Sequence, residues 1–305
     1  MSGLMKRAIL VGATNGVVTS FVEKHGMRLG AARFVAGETL DECVVVLRRL
    51  NDQGLRANTT LLGEDTTDAA GAAAVVTAYE EVFDRIAAEG LRVNVALKLT
   101  HLGLGLGEDL AYENVARLVD HAAGHGNFVR IDMERSDVLE PTLRVYRRLR
   151  ESRDNVGCVL QSYLYRTPRD LEELLPLKPN IRVVKGAYLE PSEIAYPEKE
   201  DVDAAYVRLM EEGLRRAGHL AIATHDERLI DHAIHFAERE SIPRERFEFQ
   251  MLYGVRPQLQ LDLVARGYDV LIATPYGPAW YPYLMRRLAE RPANLLFVLQ
   301  NLRRR

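Results

Sequence analysis

Leu91-Arg-Val-Asn-Val-Ala-Leu-Lys98-Leu-Thr-His101 is a mostly apolar run that closes on a cation and an imidazole, and a helix signal follows it over Asp109–Ala123. A buried parallel strand reads as such a run, and its connection to the next parallel strand needs a crossover helix. The same grammar recurs along the chain. Strands are expected at Ala57–Glu64, Leu91–Leu99, Phe128–Glu134, Val156–Leu164, Ile181–Leu189, His219–Asp226, Phe247–Gly254 and Asp269–Gly277. Their C-terminal ends carry Glu64; Lys98 and His101; Asp132 and Glu134; Gln161 and Tyr163; Lys185 and Tyr188; Thr224, His225 and Asp226; Gln250 and Tyr253; and Tyr276. Eight strands alternating with helices imply an α/β fold, a distorted TIM-type (β/α)8 barrel, whose active site is built from the C-terminal strand ends.

Helices are expected from Thr67 or Asp68 through Glu89, then at Asp109–Ala123, Val138–Glu151, Pro168–Leu175, Val202–Ala217 and Glu227–Glu240, with a short one at Pro257–Ala265. Two more, Ala279–Ala289 and Pro292–Leu302, follow the last strand, so the chain ends in an extra helix. Ahead of the barrel, Val18–Val35 and Thr39–Asn51 carry apolar residues at helical spacing, and Gly54 suits the stop of the second. The organisation is one domain over residues 1–305, with N-terminal helices to residue 55 and the barrel from residue 56. The longest interruption, Glu190–Asp201 with Pro191 and Pro197, falls on the ligand-bearing face.

A net charge of −3 gives no nucleic-acid footprint, and 47% hydrophobic residues are ordinary for a globular chain. Cys43 and Cys158 lie far apart and read as buried free thiols of a reducing cytoplasm. The segment from Ile9 to Gly16 imitates a dinucleotide-binding turn but lacks the third glycine, and Met5–Gly12 lacks a persuasive signal-peptide cleavage site. No stretch is long enough to span a bilayer.

Four constellations carry chemistry. Tyr283, Arg286, Arg287 and Glu290 share one helical face after the eighth strand, a donor set suited to a ligand carboxylate; the plainer reading is a solvated arginine face. Arg182, Lys185 and Gly186 lie on the fifth strand, where charge needs a partner. Lys185 suits a Schiff-base nucleophile, and both cations suit a cofactor's electron-rich ring or phosphates. Lys98 with Asp132 and an arginine would form an orienting triad or a structural salt bridge across the barrel. His225 with Asp132 and Glu134 is a weak metal set, opposed by the surrounding cations, so no metal is expected.

Arg182–Glu190, Ala223–Asp226, Phe247–Gly254 and the stretch from Tyr283 to Asn294, together with Arg33–Leu40, resemble proline dehydrogenase, in its stand-alone bacterial form. That resemblance implies oxidation of L-proline to Δ1-pyrroline-5-carboxylate, the first step of proline catabolism to glutamate. It implies non-covalent FAD, hydride transfer from C5 to the flavin N5, and electrons passed to a membrane quinone. By the same resemblance Asp132 and Arg182 are catalytic, with Arg182 also near the flavin. Lys98, Arg286 and Arg287 bind the substrate carboxylate, and Leu252, Tyr276 and Tyr283 pack on the ring, with Tyr188 close by. Met133, Gln161, Lys185, Gly186, Ala187, Lys199, Thr224, His225 and Gln250 line the flavin. Tyr283 favours proline over hydroxyproline. The expected location is cytoplasmic with peripheral contact to the inner membrane, where the basic Arg303–Arg305 tail would help, and a separate pyrroline-5-carboxylate dehydrogenase is the natural partner. Two rivals stay open: a flavin-free aldolase using Lys185, and a non-enzymatic carboxylate-binding barrel.

Overall fold

In the computed structural model, which describes residues 31–290 and side chains through residue 285, eight parallel strands close into a barrel in sequential order. They are β1 (Arg56–Leu61), β2 (Val93–Leu97), β3 (Val129–Ile131), β4 (Val156–Gln161), β5 (Asn180–Val184), β6 (His219–Ala223), β7 (Phe247–Leu252) and β8 (Val270–Tyr276). The ring shuts through β1 and β8, in register from Arg56 with Leu271 to Leu61 with Tyr276. Among the described residues the helices are α1 (Leu40–Asp52), α2 (Ala69–Ala88), α3 (Glu108–Gly124), α4 (Ser136–Arg150), α5 (Thr167–Leu174), α6 (Lys199–Arg216), α7 (Glu227–Arg239), α8 (Pro257–Ala265) and α9 (Trp280–Glu290).

Local chemistry sets several helix starts. Thr39 and Glu42 form a capping box on α1, each side chain bonding the other's backbone N–H. Asp68 caps α2 through the Gly71 N–H at 2.7 Å, and Asp226 caps α7 through the Arg228 N–H at 3.1 Å. The expected helix Val18–Val35 lies mostly outside the described residues, as does Pro292–Leu302. Its described end is a short 3-10 turn, Ala31–Arg33.

All eight expected strands form, but each ends earlier than expected. Glu64, Lys98, Asp132, Lys185 and Thr224 stand in the loops just past the strands. The expected unbroken apolar run also needs correction. Residues facing the helices are apolar, as with Val95, Leu97, Ile131, Ile181, Val183, Ile222, Phe249 and Ile272, packed with Tyr79, Phe83, Leu118, Tyr146, Tyr206 and Phe236. Buried polar side chains occupy the alternate positions: Asn58, Asn94, Arg130, Arg182, Glu248 and Gln250. Strand pleating puts i and i+2 on one face, so a polar interior coexists with a fully buried strand.

A second apolar cluster joins Phe34, Val35 and Leu62 to Trp280, Tyr281 and Leu284. Trp280 Nε1 donates to Glu38 Oε1 at 2.7 Å, and the Gly277 N–H donates to Gly37 O at 3.0 Å. These contacts anchor the start of α9 on the segment before α1 and hold it beside the barrel mouth.

Candidate active site

A cavity of about 530 Å³ opens at the C-terminal end of the barrel, within the size range of small-molecule and cofactor sites. Its floor is the top of the polar interior. Arg182 is 7% exposed, and its guanidinium is fixed from three sides. Nη1 donates to Asp132 Oδ1 at 2.6 Å, Nη2 donates to Asn58 Oδ1 at 3.0 Å, and Nε donates to Gln250 Oε1. Gln250 in turn donates to Glu248, whose other oxygen pairs with Arg56 at 3.2 Å. Buried polar groups need such partners, and a guanidinium held at three donors has little rotational freedom. Deeper in the barrel, burial and then the charge of Arg182 depress Arg130 to about 10.

The expected orienting triad divides into two pairs. Asp132 takes Arg182, while Lys98 pairs with Glu64 from the loop after β1. The loop carrying Lys98 is tied to its neighbour by Glu134, which accepts from the Thr100 N–H at 3.1 Å and from Thr100 Oγ1 at 2.6 Å. Burial raises the Glu134 carboxyl above its usual range, and the Thr100 hydrogen bonds work against that rise. His101 lies over Gly63, where a Cβ would meet the ring at 2.2 Å. Desolvation, and then the Lys98 charge, push His101 down to about 4. The ring is therefore a neutral prop for this loop at physiological pH.

On the opposite wall Lys185 and Lys199 share the carboxylate of Asp203 on α6. Burial raises that carboxyl, but hydrogen bonds from the two lysines outweigh it and leave it lowered. Gly186 takes φ +120°, and a Cβ there would lie 2.3 Å from the Tyr163 ring, so this approach requires glycine. The Glu190–Asp201 segment folds over the loop after β4, where the Tyr196 N–H donates to Tyr163 O at 2.8 Å. Glu190 pins it by accepting from the Ser136 N–H at 2.8 Å.

Of the residues expected at the site, Lys98, Asp132, Met133, Gln161, Arg182, Lys185, Gly186, Ala187, Tyr188, Lys199, Thr224, His225, Gln250, Leu252 and Tyr283 all line this one cavity. Tyr276 does not. It is 4% exposed, and burial, with Cys43 on α1 and Glu81 on α2 as charge neighbours, raises its hydroxyl pKa. Those neighbours belong to the helices rather than the barrel interior, so Tyr276 packs into the helix layer, and its expected place on the substrate ring is withdrawn. The side chains of Arg286 and Arg287 lie outside the described residues.

The three residues weighed above as a weak metal set each have another partner. Asp132 is committed to Arg182 and Glu134 to Thr100, and His225 Nε2 accepts the Leu252 N–H at 2.8 Å. The sequence reading missed Asn58, Asn94 and Glu248 beneath Arg182 and Asp203 beneath Lys185. Asn58 had a weak signal: a polar residue at the buried centre of Arg56–Leu61, two places from Arg56 and Thr60 on the same strand face.

The sequence profile of the family described as Proline dehydrogenase matches residues 43–300. The chain is 38% identical over 299 residues to proline dehydrogenase 1 of Bacillus subtilis (strain 168), covering 98% of this chain and 99% of that one. It is 40% identical over 304 residues to proline dehydrogenase of Deinococcus radiodurans, covering 98% of each. Among solved structures it is similar to proline utilization A from Bdellovibrio bacteriovorus inactivated by N-propargylglycine. There the TM-score is 0.81 at 26% identity, over 90% of this chain and 34% of that one, so this chain spans about a third of that protein. A cavity ringed by most of the expected residues, on a chain that aligns with nearly the whole of the Bacillus and Deinococcus proteins, fits one assignment: the chain belongs to the proline dehydrogenase family.

Proposed function

We propose that this enzyme oxidises L-proline to Δ1-pyrroline-5-carboxylate with non-covalently bound FAD and delivers the electrons to a membrane quinone. The observation that carries the reading is Arg182, held rigid by Asp132, Asn58 and Gln250 at the floor of the cavity, with Lys185 and Gly186 beside it. The residues fit a flavin. Gln161 Oε1 is buried at the cavity without a hydrogen-bond donor and suits a ligand N–H, and the two cations suit an electron-rich ring edge. A bound flavin supplies the two-electron chemistry of accepting a hydride.

The chain's own residues do the rest. Lys98, with Arg286 and Arg287, holds the substrate carboxylate, and that carboxylate must share or displace Glu64 at Lys98. Leu252 and Tyr283 wall the pyrrolidine ring so that one face of it meets the cofactor, which is an orientation effect. Asp132 keeps Arg182 in place, and fixed donors stabilise developing negative charge without reorganising. Met133, Ala187, Lys199, Thr224 and His225 complete the cofactor wall. Peripheral contact with the inner membrane, and transfer of product to a separate pyrroline-5-carboxylate dehydrogenase, follow from the same reading; among the described residues no helix is long and apolar enough to cross a membrane.

Against the aldolase rival stands Lys185, whose ammonium is clamped by Asp203. The test is acid precipitation of the purified protein followed by a proline assay with an artificial dye acceptor. FAD in the supernatant and proline-dependent dye reduction are expected. Colour retained in the pellet would exclude non-covalent binding, and dye reduction that ignores proline would exclude the substrate.

A further inference from the structure

Outside the barrel mouth, α2 and α3 bring Asp84, His121 and His125 together. The two histidines are four residues apart, His121 in the last turn of α3 and His125 at its C-cap, a spacing that stacks side chains on one helical face. Their Nε2 atoms lie 2.7 and 2.9 Å from the same oxygen, Asp84 Oδ1. All three candidate donor atoms fall within 4.8 Å of one another. The convergence is held in register by a second bridge between the same helices. Arg117, one turn before His121, makes a two-pronged pair with Glu80, one turn before Asp84, both contacts at 2.7 Å.

We propose that Asp84, His121 and His125 form a binding site for a transition-metal cation of the zinc class, bridging α2 and α3. Two imidazole nitrogens and one carboxylate oxygen are the donor set of open three-ligand zinc sites. Tetrahedral donors about 2.0–2.1 Å from zinc stand roughly 3.3 Å apart. The present 2.7 and 2.9 Å His–Asp separations open to that value with about half an ångström of movement each, and the two imidazole nitrogens, within 4.8 Å of each other, settle to the same spacing. With Asp84 59%, His121 29% and His125 32% exposed, an ion has access and a water can complete its shell. The barrel cavity is a separate structure on the C-terminal face, and none of the three residues lines it. A bound ion would add a staple between two helices of the outer layer.

The test is equilibrium dialysis of the flavin-loaded enzyme against Zn²⁺ or Mg²⁺, followed by metal analysis and a thermal melt, for wild type and His121→Gln/His125→Gln. The wild type should retain close to one equivalent of zinc and no magnesium, and its Tm should rise with zinc and fall back on adding a chelator. The double variant should melt like the metal-free wild type and lose at least ten-fold in zinc affinity. Asp84→Asn, which keeps the imidazole pair, should fall between the two. Zinc retention that is equal in wild type and double variant, or absent from both, would overturn the site. Because neither readout uses proline, failure here leaves the assignment of the barrel cavity untouched.

Discussion

Arg182 Nη1 and Asp132 Oδ1 meet at 2.6 Å, joining the fifth strand to the end of the third across the barrel mouth. The pair is the top of a continuous polar column that descends through Asn58 and Asn94 on one side and through Gln250 and Glu248 on the other. Losing one partner of such a pair strands the other charge in a poorly solvated place. Asp132→Ala should therefore lower unfolding free energy by on the order of 2–4 kcal/mol, below the fully buried range because part of Asp132 meets solvent. Asp132→Asn keeps an acceptor for Arg182, so it should lose less stability while kcat still falls. Urea unfolding alongside steady-state kinetics separates the two effects, and an Asp132→Ala protein as stable as wild type would show that the pair is dispensable to the fold.

The proposed carboxylate clamp makes a different prediction. Lys98→Met, Arg286→Met or Arg287→Met should each raise the KM for proline far more than it lowers FAD content. Removal of one charge-assisted pair in a closed site costs on the order of 2–5 kcal/mol. An unchanged KM in both arginine variants would return those residues to a solvated helix face.

The proposed ring selectivity is tested at Tyr283, which lines the cavity from the first turn of α9. A 4-hydroxyl on the ring would meet it or lose hydration without a partner, at roughly 1–3 kcal/mol. Tyr283→Ser opens space and offers a hydrogen bond. Proline turnover should fall while the relative kcat/KM for hydroxyproline rises; a constant ratio of the two would place Tyr283 off the ring.

His101 gives a pH prediction. Its folded pKa, about 4, lies below the ordinary imidazole value of 6.5, so between those values the unfolded chain binds more protons than the folded one. Stability contributed by the neutral ring is therefore present above the unfolded value and is lost as pH falls from about 6.5 toward 4. The slope approaches about 1.4 kcal/mol per pH unit for one proton. His101→Asn should flatten the difference in unfolding free energy between pH 7 and pH 5. An identical difference in wild type and variant would mean that His101 titrates normally.

How much of this was readable beforehand depends on which side chains water and neighbours constrain. The alternation of apolar runs and helices specified eight strands, because both faces of each strand must be covered. Their ends were overrun, since Lys98, Asp132 and Thr224 continue the run in sequence but leave the ladder to reach the cavity. Tyr276 was misplaced because nearness to a strand end does not decide which side a residue faces. Asp203 and Glu248 were invisible for another reason. Each is an ordinary acid in sequence: Asp203 meets Lys185 only once α6 packs back on β5, and Glu248 meets Gln250 because the pleat of β7 puts residues two apart on one inward face.

The most direct test is an anaerobic titration of the purified enzyme with L-proline, followed in the visible spectrum. A yellow flavin spectrum should appear on purification and bleach as proline is added, and Arg182→Met should blunt the bleaching while keeping the colour. A colourless protein, or a flavin spectrum that proline leaves unchanged, would contradict flavin-dependent proline oxidation at this cavity.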